Sequence, residues 1–193
     1  SFRHLSAVIA IARVAHDGYQ PGDIVWKLGG RDSTFTFVDD PYDGPCAQHT
    51  ASQLPNGDIM VFDDGALLAQ PLCVDQTNPT GPAHGRTQSR VAVYHLDAGA
   101  ATATLTRSYG PAGWFSWFMG SAQYIPGSAD HVLVGWSAAT QAVATELDAD
   151  DAPVWELVAQ PSSNTAQYIS YRATKFDAPD EIDPAVSVSV PAE

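Results

Sequence analysis

Few side chains of this acidic chain can offer a nucleophilic nitrogen or a fixed positive charge. There are six His and nine Lys plus Arg against 22 Asp plus Glu, a net charge of −13. His49, in Gln48-His49-Thr50-Ala51, and Arg172, in Ser170-Tyr171-Arg172-Ala173, stand where strands begin. Arg3 and His4 sit together ahead of the first strand, and Arg90 opens another. An imidazole is largely neutral near pH 7 and then carries a lone pair able to act as nucleophile or base. A guanidinium presents a planar fork of donors that matches two oxygens of a tetrahedral anion. Any small anion would have to be held by such a local basic site against the overall field of the chain. His16, His84, His95 and His131 fall in loops or on ordinary strands and carry no such expectation. The Asp-rich stretch 148–151 lacks the ligand spacing of a calcium loop, and Cys46 and Cys73 fit no metal pattern, so neither metal nor cofactor is expected.

The elements that must position these residues read as strands. Runs at 6–13, 23–28, 50–54, 58–62, 90–96, 101–109, 120–125, 131–136, 142–147, 153–158 and 167–176 are short and rich in Val, Ile, Thr, Tyr and Trp. Turn chemistry such as Pro55-Asn56-Gly57-Asp58 bounds them, and no helical periodicity outlasts a turn or two. The strands also repeat. Val8-Ile9-Ala10-Ile11 leads to Ile24-Val25-Trp26-Lys27-Leu28, and Val143-Ala144-Thr145-Glu146-Leu147-Asp148 to Val154-Trp155-Glu156-Leu157; Val91–Asp97 leads to 101–109 in the same way. A second hairpin precedes two of these copies, and two hairpins in sequence make the four-stranded blade of a β-propeller. The count is half a blade at 6–28, full blades at about 49–109 and 120–158, and one further strand at 167–176. The expected fold class is therefore all-β, with residues 1–176 supplying roughly half of a propeller. Residues 177–193 are expected to form an acidic, Pro-rich disordered tail. The innermost strand of a blade lines the central channel, so His49 and Arg172 are expected at its mouth.

Bulk composition narrows the partners. A surface this negative repels phosphate backbones and anionic lipids, so nucleic acid is not expected as a partner. No run approaches the ~20 apolar residues of a membrane span. The two cysteines read either as two buried thiols or as a disulfide. The acidic, lysine-poor, Pro- and Gly-rich chain favours the disulfide and an exported location: secreted, periplasmic or at the cell surface. Ser1-Phe2-Arg3-His4 has neither Met nor a charged leader, so an upstream segment is expected, and two open blade edges call for a companion chain with the remaining blades.

Seven short motifs occur in one order along nearly the whole chain to residue 176. They are Ser1-Phe2-Arg3-His4; Gly22-Asp23-Ile24-Val25-Trp26-Lys27-Leu28-Gly29-Gly30; Gln48-His49-Thr50-Ala51; Leu54-Pro55-Asn56-Gly57; Phe62-Asp63-Asp64-Gly65; Ser89-Arg90; and Ser170-Tyr171-Arg172-Ala173. In this order they resemble the arylsulfotransferase family. The resemblance implies a propeller of about six blades that moves a sulfuryl group from an aryl sulfate donor to a phenolic acceptor without a nucleotide. It implies His49 as the nucleophile that carries the group and Arg3 as the sulfate ligand. His4, Arg90, Arg172 and Trp117 are further candidates for substrate binding. Arg90 and Arg172 read more readily as structural, ion-pair partners of Asp63 or Asp64 between blades. The Trp114-Phe115-Ser116-Trp117-Phe118 cluster reads as inter-blade packing or as a stacking face for an aryl ring. A His-x-Asn-Ser motif and an earlier histidine of the family are not in this sequence, Phe2 replaces a small residue, and Asp64 stands where Asn is common. These departures keep two alternatives open: a propeller that binds or assembles without catalysis, and a hydrolase that passes sulfate to water.

Overall fold

The computed structural model describes residues 1–66, 73, 85–159 and 168–176. They hold eleven strands and no α-helix. In chain order the strands are β1 (Val8–Ile11), β2 (Ile24–Leu28), β3 (Thr36–Val38), β4 (Ala51–Gln53), β5 (Ile59–Asp63), β6 (Arg90–Asp97), β7 (Thr102–Tyr109), β8 (Ser121–Tyr124), β9 (Val132–Gly135), β10 (Ala144–Leu147) and β11 (Pro153–Leu157). One 3-10 turn, Arg3–Leu5, precedes them.

The strands form three sheets: the hairpin β1-β2, the five-stranded β3-β7-β6-β5-β4 and the four-stranded β11-β10-β9-β8. The two larger sheets contain the expected antiparallel meanders, β4 to β7 and β8 to β11. The Leu54-Pro55-Asn56-Gly57-Asp58 turn sets the register of the first, pairing Ala51 with Val61 and Gln53 with Ile59. Among the described residues no sheet closes into a ring.

Why the sheets stack is visible in their alternation. β5 is buried along its whole length, which a strand tolerates only when both faces of its sheet are covered. Met60 and Phe62 point, with Val91 and Val93, into a core shared with Val132, Val134, Trp136 and Leu147 of the four-stranded sheet. Ile59 and Val61 point the other way, with Ala92 and Tyr94, into a core shared with Val8, Leu28, Phe35 and Phe37. Period-two patterning thus feeds two cores from one sheet. Trp136 anchors the first core. It is fully buried, edge-on to Trp114 at 5.1 Å, with its indole N–H donated to Thr145 Oγ1 at 2.9 Å.

Two expectations are corrected. β3 was not foreseen: three residues are too few to show a period, and the strand exists because Phe37 is buried while Thr36 to Val38 pair in parallel with Thr102 to Thr104. The strand expected at 167–176 is no strand over the described 168–176. Its backbone is met instead by side chains of β8: Ser121 Oγ accepts from the Ala173 amide at 3.0 Å, and Gln123 Oε1 from the Lys175 amide at 2.8 Å. Polar side chains in β8 replace a main-chain ladder, which strand patterning does not reveal. Residue 167 and the tail 177–193 lie outside the described residues.

Candidate active site

His49 precedes β4 and is tied to the end of β5, its amide bonding the Phe62 carbonyl at 2.9 Å. That register sets its ring beside Asp64, the first residue past β5. His49 Nδ1 lies 2.5 Å from Asp64 Oδ2. On the ring's other side, the Met119 amide N–H donates to Nε2 at 2.9 Å. A donor pointed at Nε2 requires a lone pair there, so the ring proton sits on Nδ1 and faces Asp64.

Arg3 arrives from the opposite end of the sequence. Its 3-10 turn is pinned to the His49 segment by Ser6 Oγ, which accepts from the Ala47 amide at 2.9 Å, and by Gln48 Nε2, which donates to the Ala7 carbonyl at 2.9 Å. Gly30 makes the close approach feasible: at φ +68 it lies against the Leu5 carbonyl, where a Cβ would collide. Arg3 donates one terminal N–H to the Trp117 carbonyl at 3.1 Å, and its Nε lies 3.7 Å from Asp64 Oδ2. Both Arg3 Nε and Asp64 Oδ1 are buried without a hydrogen-bond partner, the kind of vacancy a polar ligand atom fills.

The segment carrying Trp117 and Met119 is held by Ser89, whose Oγ donates to the Asp64 carbonyl at 2.9 Å and accepts from the Ser116 amide at 2.8 Å. Ser89 therefore couples the segment carrying Trp117 and Met119 to Asp64, the residue beneath His49. Trp117 is half exposed, edge-on to Phe115 at 4.8 Å.

The electrostatics favour an unprotonated ring. Burial, with the Arg3 cation adding to it, lowers His49 to a pKa of about 4. Burial raises the proton affinity of the Asp64 carboxyl, against the pull of Arg3, and that affinity is met by the Nδ1 proton of His49, which the Met119 contact leaves facing Oδ2. The site thus pairs an imidazole available at neutral pH with a guanidinium edge that has no internal acceptor.

The arylsulfotransferase (ASST) family model matches residues 1–172. The chain belongs to the arylsulfotransferase family. No relative among curated proteins matches it.

Of the residues singled out from the sequence of this arylsulfotransferase-family chain, the structure brings His49, Arg3 and Trp117 to one place. His4 is exposed on the Arg3 turn. Arg90 is sealed in the interior, only 2% exposed, with its guanidinium bonded to both carboxylate oxygens of Asp40 at 2.9 Å and, through Nε, to Asp63 at 2.9 Å. It takes the ion-pair role. Arg172 stacks over Tyr171 at 5.6 Å and lines a pocket of about 780 Å³ on the face of the β8–β11 sheet, with Glu146, Trp155 and Lys175. Neither His49 nor Arg3 lines that pocket. Sequence reading missed the contact of Asp64 with His49, having noted Asp64 as a departure from the family pattern and as a possible ion-pair partner of Arg90 or Arg172, and it missed the Met119 amide. The hairpin register through Pro55-Asn56-Gly57 brings residue 64 alongside His49, so the first was within reach; the second depends on packing between sheets.

Proposed function

We propose that this arylsulfotransferase-family chain transfers a sulfuryl group from an aryl sulfate to a phenol, without a nucleotide donor, through a sulfohistidine at His49. One observation carries the reading: His49, whose Nε2 accepts from the Met119 amide and so bears a lone pair, shares the Asp64 carboxylate with Arg3 Nε, which is buried without a hydrogen-bond partner. Sulfuryl transfer, like phosphoryl transfer, proceeds in line through a loose transition state, so the protein's task is positioning and charge stabilisation. His49 Nε2 attacks sulfur, the phenolate leaves, and Arg3 takes the charge on the equatorial oxygens. An acceptor phenolate then removes the group. Trp117, exposed beside Arg3, offers the aryl ring a stacking face.

The fold of the proposal is a propeller of about six blades. Supporting it are the sheets stacked face to face and the starts of two meanders lying side by side, where Thr50 Oγ1 accepts from the Ala122 amide at 2.9 Å. Apolar side chains stand exposed on the outer sheets: Val154, Trp155 and Leu157 of β11, and Ile11 and Ile24 of the hairpin. Further blades, on a companion chain, would cover them. A disulfide joins Cys46 to Cys73, and with the chain's acidity it supports an exported location.

p-Nitrophenyl sulfate with a phenol acceptor tests the reaction. The intact protein is expected to release nitrophenol, and His49→Ala to lower kcat by at least about a thousandfold. Equal rates for the two proteins would end the proposal. A non-catalytic binding propeller is the second reading, favoured by one contact: the Met119 amide already occupies Nε2. Acid-labile sulfate on His49 after rapid quenching separates them.

A further inference from the structure

We propose that Asp64 is a positioning residue for His49: it holds the ring proton on Nδ1, leaves Nε2 as the nucleophilic atom, and takes up the positive charge the ring gains when the sulfuryl group bonds to it. The proposal rests on the reading of His49 as the nucleophile. Three observations carry it. The Nδ1 to Oδ2 contact is 2.5 Å, the length of a charge-assisted bond. The Met119 N–H at Nε2 excludes a proton there, so Asp64 accepts from Nδ1 rather than donating to it. Finally, the Asp64 side chain is wholly buried, and its position is fixed by Ser89 Oγ on its own carbonyl, not by an ion pair of hydrogen-bond length.

The charged groups around this carboxylate are few. From the 3-10 turn Arg3 faces it, Nε to Oδ2 3.7 Å. Its chain neighbour Asp63 is engaged by Arg86 and Arg90 and by the Cys46 amide. The 114–119 segment contributes main chain, through the Met119 amide and the Ser116 contacts of Ser89. Asp64 thus has one ion-pair cation, Arg3 at 3.7 Å, and one oxygen without a hydrogen-bond partner. A carboxylate in such a place binds a shared proton tightly, and burial raises its proton affinity.

The step balances. The Nε2 lone pair forms the N–S bond, the S–O(aryl) bond breaks, and its electron pair leaves as phenolate. The ring becomes cationic, and the Nδ1 proton shifts toward Oδ2. The Met119 amide passes from Nε2 to a sulfuryl oxygen. In the second half, the acceptor phenolate forms the new S–O bond, the N–S pair returns to Nε2, and the proton returns to Nδ1. An Asn at position 64 would accept the same hydrogen bond and carry no charge, so it isolates the electrostatic part.

Asp64→Asn in the intact protein is the test. With p-nitrophenyl sulfate and phenol, kcat is expected to fall about 10- to 100-fold with KM little changed, and the acid limb of kcat to move to lower pH. A proton NMR spectrum of the wild-type protein, labelled with ¹⁵N-histidine, is expected to show a far-downfield Nδ1 proton that Asp64→Asn loses. An active wild type with an Asp64→Asn variant of equal kcat and equal pH profile overturns the role of Asp64 and leaves His49 standing. A wild type without activity overturns the transfer reaction. The NMR line then decides the dyad alone: its presence in the wild type and loss in the variant supports Asp64, and its absence from the wild type overturns it.

Discussion

At the scale of single residues, the proposed chemistry depends on an imidazole kept neutral and a guanidinium kept partly unsatisfied. Burial and Arg3 hold His49 at a pKa of about 4, below the ordinary imidazole value near 6.5. Protonation removes the nucleophilic lone pair, so activity should be lost only as pH falls through about 4. A pH profile of kcat/KM checks this, and an acid limb near the ordinary value would contradict it. Arg3 cannot be exchanged for lysine without loss. Lysine offers a point charge where Arg3 spans the Trp117 carbonyl and a free Nε edge. Arg3→Lys is expected to lower kcat about 10²- to 10³-fold, the cost of one lost charge-stabilising donor, read in the same nitrophenol assay.

At the scale of elements, two devices hold the site. The first is the ionic knot behind it. Arg90 binds Asp40 and Asp63, Arg86 joins Asp63, and Asp63 Oδ1 accepts from the Cys46 amide at 2.7 Å. Arg90→Met would leave the buried Asp40 carboxylate without its cation, while Asp63 keeps Arg86, and should cost about 3–5 kcal/mol in urea unfolding. Burial alone would raise Asp40, but Arg90, Tyr94 and the Tyr42 amide outweigh it and hold its carboxyl below the usual range. Its stabilising contribution is therefore present above the unfolded-state value and is lost as pH falls through the lowered folded value. The second device is the bend at Gly120, with φ +91. A Cβ there would enter the Phe62 ring. Gly120→Ala should cost at least about 1–3 kcal/mol and displace the neighbouring Met119 amide from His49, measured as a lower Tm together with a changed kcat.

At the scale of the molecule, the sheets are laminated: one is buried on both faces, and the outer ones show apolar side chains to solvent. The Cys46–Cys73 disulfide spans 27 residues and ties the base of the His49 segment to a long connection. Replacing both cysteines with alanine should lower stability by about 3–4 kcal/mol on the chain-entropy account, seen as a lower urea midpoint under oxidising conditions. Sequence alone determined the all-β class, the two meanders and the motif residues, because strand period and turn chemistry are local and are written in consecutive residues. It determined likewise that His49 and Arg3 belong to one family pattern. Only the tertiary structure decided that Arg90 is locked in an ionic knot, that Arg172 lines a different face, and that Asp64 and the Met119 amide grip the two nitrogens of one ring. Those contacts join segments 15 to 70 positions apart in sequence. The His49–Asp64 contact follows the β4–β5 hairpin register, whereas the Met119 contact arises from packing between distant segments that no local pattern of side chains encodes.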